Sequence, residues 1–323
     1  MVGNMDNYKV SVIVPVFNAS QYIGNTLSSI LNQDFQDFEI IVVDDGSTDD
    51  SLEIINTTLE NSSIPHKVIH QENSGVSVAR NAGIDASSGD YLVFIDADDY
   101  VASNHLSSLY NGKSDFSLTL YAKKYEDKLS SLDSYTEDVI SAEDFIKKEL
   151  KMEITFNFFQ LMYRADIIKD NNVRFTPGVV YGEDTEFAHK ALMYGDEIVI
   201  NNEVTYYYVQ HPESAIKTTE FKRFDVVKIF EGLADFYSKN NKPELANLIV
   251  TSRIPKAIFG NMNFFFANGY DFDEVMNKME EMDLLSKLSK YEGDLKFKLK
   301  VKLFLSNPKR YYKTWMKFKN SID

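Results

Sequence analysis

The sequence predicts an α/β fold, with a mainly parallel central sheet followed by a helical C-terminal region. Three observations predict it. Short β-branched runs alternate with helical periodicity up to about residue 100, as βαβ units do. Those runs are almost continuously apolar, as in a sheet covered on both faces. After Glu220 the strand signal gives way to long helical spacing. The 323 residues are a soft prior for two domains, and a hydrophobic content of 44% supplies a sizeable core.

The elements follow in order. Val10-Ser11-Val12-Ile13-Val14 forms a first strand, stopped by Pro15. Residues 20–33 place Tyr22, Ile23, Leu27, Ile30 and Leu31 near helical spacing. Residues 38–43 form a second strand ending in Asp44-Asp45-Gly46-Ser47, and a helix follows on Leu52, Ile54, Ile55 and Leu59. Residues 66–70 make a third strand, 77–86 a helix, and 91–95 a fourth strand ending in Asp96-Ala97-Asp98-Asp99. Beyond these, 116–125 and 134–140 read as strands, 183–194 as helix and 197–209 as strand. Ser141-Ala142-Glu143-Asp144 is a capped helix start. Helices are expected over 224–238, 243–268 and 272–290, with Pro255 kinking or breaking the second. Residues 295–302 alternate with period two, as a strand would, whereas Tyr311, Tyr312, Trp315, Met316 and Phe318 fit a helix.

Charge and composition exclude several functions. The net charge of −15, from 34 basic and 49 acidic residues, repels phosphate from most of the surface, so no nucleic-acid partner is expected. The absence of cysteine removes disulfides, zinc-thiolate sites, iron–sulfur clusters and thiol nucleophiles. The first residues lack a cationic stretch followed by an apolar run, and no span is long and apolar enough for a transmembrane helix. The expected location is therefore cytoplasmic. From Asp294 onward, nine basic residues face two acidic ones, giving a tail of +7 and leaving −22 elsewhere. A basic, aromatic tail on an acidic body implies a second task. One reading is a solvated helix packed on the body. Another is contact with an anionic membrane on its inner face, with Phe304, Tyr311, Tyr312, Trp315 and Phe318 dipping into the interface. A third is a homo-oligomer formed through the apolar helices after Glu220.

Two acidic clusters fall directly after strands, where open parallel sheets bind ligands. Asp44/Asp45 and Asp96/Asp98/Asp99 are therefore expected to line one crevice. Crowded hard oxygen ligands favour magnesium or manganese. Each cluster also has a plainer reading: a turn with a helix cap for 44–49, an exposed acidic loop for 96–99, and a dipole-favoured helix start for Glu183-Asp184.

Taken together, the segments resemble glycosyltransferase family 2, the inverting enzymes with the Rossmann-like glycosyltransferase type A fold. The resemblance is carried by Val12-Ile13-Val14-Pro15-Val16-Phe17-Asn18, Val42-Val43-Asp44-Asp45-Gly46-Ser47-Thr48-Asp49, residues 73–83, Phe94-Ile95-Asp96-Ala97-Asp98-Asp99 and Tyr181-Gly182-Glu183-Asp184-Thr185-Glu186-Phe187. It implies a catalytic domain over 1–218, with a nucleotide-sugar half at 1–110 and an acceptor half at 111–218, followed by a helical region over 219–323. It further implies a nucleoside-diphosphate sugar donor, most often a UDP-sugar. Pro15, Phe17 and Asn18 would border the nucleoside, Asp45 and Asn73 would contact the base, and Arg80 would hold the nucleoside region. Asp96 would touch the ribose, and Asp98 would bind Mn2+ or Mg2+ with His211 as a second ligand. Val209 stands where the family commonly has arginine. Asp184 would be the general base with Glu183 beside it, acting on a hydroxyl of a glycan, teichoic acid or lipid-linked acceptor. The Asp-x-Asp at 96–98 is also similar to haloacid dehalogenase-like phosphatases, whose first aspartate usually lies near the N-terminus. Two other readings are a nucleotidyltransferase and a non-catalytic nucleotide-binding module.

Overall fold

A computed structural model describes residues 8–125, 129–131, 134–179, 181–210 and 221–319. The chain divides into two compact units, one of Met1–Phe145 with Phe156–Ser214 and one of Ile146–Thr155 with Ala215–Asp323.

The first unit is built on a sheet with ten strands among the described residues: β1 (Val10–Val16), β2 (Phe38–Asp44), β3 (His66–His70), β4 (Tyr91–Phe94), β5 (Tyr100–Val101), β6 (Phe116–Lys124), β7 (Leu129–Ser131), β8 (Val139–Ser141), β9 (Leu161–Arg164) and β10 (Glu197–Val209). The order is β3-β2-β1-β4-β9-β6-β10-β5, with β7 beside β6 and β8 beside β10. β3, β2, β1 and β4 run parallel, as do β6 and β10. β9 is antiparallel to both β4 and β6, between the two parallel blocks. The sheet is thus mixed and mostly parallel, and every residue of β1 and β2 is buried. Helices α1 (Ile23–Leu31), α2 (Ser51–Leu59) and α3 (Val76–Ala86) connect the first four strands in turn. They are followed by α4 (His105–Leu109), α5 (Ala142–Leu150), α6 (Ala165–Asp170) and α7 (Glu183–Leu192).

The alternating apolar runs therefore became the parallel block, with instructive departures. β1 does not stop at Pro15 but continues to Val16, paired with β2 throughout. Ile13 accepts from the Ile95 N–H on the β4 side. Odd-numbered residues of β1 face that side, and the β1–β4 register ends at Ile13. Pro15 thus lacks its N–H where no ladder partner remains. Of the strand expected over 134–140, only Val139–Ser141 pairs, against β10. The short β5, α4, β9 and α6 carried no sequence signal long enough to read.

The second unit holds α8 (Val226–Lys239), α9 (Pro243–Leu248), α10 (Ile254–Ala267), α11 (Phe272–Glu281), α12 (Leu284–Ser289), α13 (Leu295–Ser306) and α14 (Pro308–Lys319). Pro255 follows a π-helical turn over Ile249–Arg253 inside one continuous helical run, and the Thr251 carbonyl one turn back, to which it has no N–H to donate, accepts instead from the Glu292 N–H at 2.8 Å. The helix expected over 272–290 is split at Asp283, which has a left-handed φ of 52°.

Residues 295–302 are helical, not a strand, which corrects the period-two reading. Asp294 caps α13 by accepting from the Phe297 N–H at 2.8 Å. Val301 and Phe304 are buried, and Phe297 packs on Phe259 and Tyr291. The tail aromatics are likewise not a surface row. Tyr311 packs on Phe259 and Phe304, while Tyr312 meets Phe266 and Phe272 and Trp315 lies beside Phe266. The side chain of Phe318 lies outside the described residues.

Candidate active site

The site grows from the carboxyl ends of β1, β2, β3 and β4. Asp45, one residue past β2, is buried, and its carboxylate accepts from Gln71 Nε2 at 2.7 Å and from the N–H groups of Ser74 at 2.9 Å and Gly75 at 2.8 Å. It thereby closes the loop after β3 onto the end of β2. Gly46 makes this approach possible: its φ is +75°, and a Cβ there would lie 2.8 Å from the Asn73 nitrogen. Asn73 itself is exposed at the loop surface. Asp44 is turned away, buried, with Oδ2 2.6 Å from His70 Nδ1.

The loop after β1 is stitched to the start of α2. The Asn18 N–H donates to Ser47 Oγ at 3.0 Å, and Asn18 Oδ1 accepts from the Thr48 N–H at 2.8 Å. Phe17 is 49% exposed beside it, whereas Pro15 is buried inside the sheet.

Arg80 is the centre of the arrangement. Helix α3 lies tightly on β1, since a Cβ on Gly83 would fall 2.4 Å from Ile13 Cγ2. One turn earlier, Arg80 is therefore held at the strand ends, its side chain only 6% exposed. Its Nη2 donates to Asp96 Oδ1 at 2.8 Å, and Nη1 stands 3.5 Å from Glu183 Oε1. The guanidinium carbon sits 4.4 Å from the Phe158 ring centre and 5.2 Å from that of Phe175. Asn81 fixes Phe175 by exchanging two hydrogen bonds with its backbone.

Asp96 and Asp98 follow β4 and are partly exposed. Thr26 Oγ1 lies 2.8 and 2.7 Å from the Ala97 and Asp99 carbonyl oxygens, so α1 clamps the loop carrying Asp98. Asp99 does not share the crevice. It is buried, with Oδ2 accepting from Tyr206 Oη at 2.7 Å and Oδ1 from the Val209 N–H at 2.8 Å. Burial, then the charges of Asp96 and Asp98, hold its pKa well above the usual carboxylate range. The expectation of one crevice lined by both clusters is thus corrected: Asp44 and Asp99 are structural, and Asp45, Asp96 and Asp98 remain.

Glu183 and Asp184 open α7 after Gly182, whose φ is 89°. Burial, and next the neighbouring charge of Asp184, push the Glu183 pKa up to about 7, with Arg80 opposing. The pair is thereby split, one carboxyl retaining its proton near neutrality. His211 lies outside the described residues, and among the described residues no three acidic or histidine side chains converge on a metal position. The sequence reading gave no role to Gln71, Tyr206, Phe158 or Phe175. Tyr206 had the one available signal, its place in a run of three tyrosines.

Comparison with known proteins shows the family and the fold. The family model described as "Glycosyl transferase family 2" matches residues 11–160. EpsH of Bacillus subtilis (strain 168), a protein named as a glycosyltransferase, is 30% identical over 251 residues, spanning 74% of this chain and 72% of EpsH. The chain belongs to glycosyltransferase family 2. As such it is an enzyme of that family, which sets aside the non-catalytic reading. TarS of Staphylococcus aureus (strain MW2), a poly(ribitol-phosphate) β-N-acetylglucosaminyltransferase, is 26% identical over 66% of this chain and 38% of its own length. The crystal structure of S. aureus TarS 1-349 with UDP-GlcNAc superposes with a TM-score of 0.69 at 22% identity, covering 87% of this chain and 81% of that one, and shows the shared fold. A Pyrobaculum calidifontis mannosyltransferase, solved with GDP-Man and Mn2+, gives a TM-score of 0.55 at 18% identity over 96% of this chain and 84% of that one. The family match takes in Asp45, Asn73, Arg80, Asp96 and Asp98 but ends before Glu183 and Asp184.

Proposed function

We propose that this glycosyltransferase transfers a sugar, with inversion, from a UDP-sugar to a hydroxyl of a cell-surface glycan, teichoic acid or lipid-linked acceptor. The observation that carries the reading is the bridge made by Arg80. One guanidinium joins Asp96 at the end of β4 to Glu183 at the start of α7, so the expected donor and acceptor elements meet at one point. The division into a catalytic domain over 1–218, with halves 1–110 and 111–218, and a helical region over 219–323 belongs to this proposal. The TarS complex with UDP-GlcNAc supports the donor class.

Asp45 presents a fixed carboxylate that only accepts, which suits the uracil N–H. Asn73, Phe17 and Asn18 border the base from the exposed loops, and Pro15 shapes the first loop from within the sheet. Asp96 faces the ribose. Asp98, on its clamped loop, has the hard carboxylate oxygen that would hold Mg2+ or Mn2+. His211 would join it as a second ligand. Held there, the ion would supply Lewis-acid stabilisation of charge on the diphosphate. Asp184 takes the acceptor hydroxyl proton. The freed oxygen bonds the anomeric carbon from the far side, and the carbon–oxygen bond to the diphosphate breaks with its electrons leaving on the diphosphate. Glu183, protonated near neutrality, spares the pair a second charge.

Calorimetry of UDP with and without Mn2+ tests the reading. Binding that strengthens with metal, and loses that dependence in Asp98→Ala, is expected. Wild-type affinity in Asp98→Ala, or no UDP binding at all, would refute the corresponding role.

A further inference from the structure

We propose that α13 and α14 form a membrane-seating face, with the Leu295, Leu299 and Leu303 side chains entering the interface of an anionic bilayer. These leucines are 71%, 57% and 57% exposed. At four-residue spacing they form one line on α13, about 12 Å long. They are not surplus core, because the inner face of the helix is already supplied by Val301 and Phe304. At about 100° per residue, Lys298 and Lys302 flank the line on one side and Lys296 and Lys300 on the other. No ion pair involves these four lysines among the described residues.

The next helix adds an anion-receptive surface. Asn307, Lys309, Arg310, Lys313, Thr314 and Lys317 line an open groove of about 380 Å³ that contains no acidic residue. The aromatic side of α14 is turned inward, with Tyr312 against Phe266 and Phe272, which leaves the cations outward.

Charge decides the occupant. A second copy docked on the leucine line would bring its own lysine rows against these, and a neutral lipid surface would leave the lysines without partners. An anionic bilayer takes both, with leucines at the acyl boundary and lysines among the phosphates. The remaining residues carry −22, so the surface that attracts this face repels most others.

The test is co-sedimentation of the full chain with vesicles of phosphatidylcholine alone or mixed with phosphatidylglycerol, without sugar donor, so that it is read independently of transfer. Pelleting only with the anionic vesicles, reversed by salt, is expected. The combined Leu295→Gln, Leu299→Gln and Leu303→Gln variant, its fold checked by circular dichroism, should lose at least about tenfold in binding. The combined Lys296→Gln, Lys300→Gln and Lys302→Gln variant should behave likewise. Absence of wild-type binding, equal binding to neutral vesicles, or an unaffected leucine variant would overturn the proposal. So would a concentration-dependent dimer that the leucine substitutions dissociate, because the occupant would then be a second copy.

Discussion

At the scale of single residues, the adjacent acids of α7 have been given different environments. Glu183 stands within ion-pair reach of Arg80 and titrates near 7, its charged form disfavoured by burial. Asp184 holds the Thr185 N–H at 2.7 Å. Asp184→Asn should cut transfer by about 10²–10⁴, the usual worth of a positioned base, while UDP affinity in calorimetry stays at the wild-type value. Retained transfer would move the base to Glu183. Glu183→Gln should remove an inflection near pH 7 from the kcat/KM profile, and an unchanged profile would mean that another group titrates there.

At the scale of elements, loops have been made rigid by side chains reaching across from neighbouring strands. Asp45 holds the 71–75 loop, and Gly46 lets that loop close. Gly46→Ala places a Cβ in a left-handed position against the Asn73 nitrogen. It should destabilise the protein by roughly 1–3 kcal/mol and weaken UDP binding with little change in kcat, which thermal melting and calorimetry would detect. The long apolar strands and the acids behind them were legible because burial on both faces leaves a continuous hydrophobic signature. The four-residue β9 was not, since so short a run reads equally as loop. The period-two pattern of 295–302 misled because lysines alternate with apolar residues on both faces of α13, and with no strand described beside it the helical bonds prevailed. Arg80 was legible as a site residue. Its aromatic bed of Phe158 and Phe175 was not, because those residues come from segments about 80 and 95 positions away.

For the whole molecule, the raised Glu183 pKa makes folding sensitive to pH. The unfolded carboxyl releases its proton near 4.5 and the folded one near 7. Between those values the folded state binds the extra proton, so this group's contribution to stability declines as pH rises through that window. The difference in Tm between wild type and Glu183→Gln should therefore shift in favour of the variant from pH 4.5 to 7, and a constant difference would contradict the assignment. The same scale shows that β9, antiparallel to strands on both sides, leaves β6 and β10 pointing the same way as β1 and β4. Carboxyl ends from both parallel blocks thus fall on one edge of the sheet. On the proposed division of labour, one antiparallel strand gives donor and acceptor loops a common side of the sheet to open on.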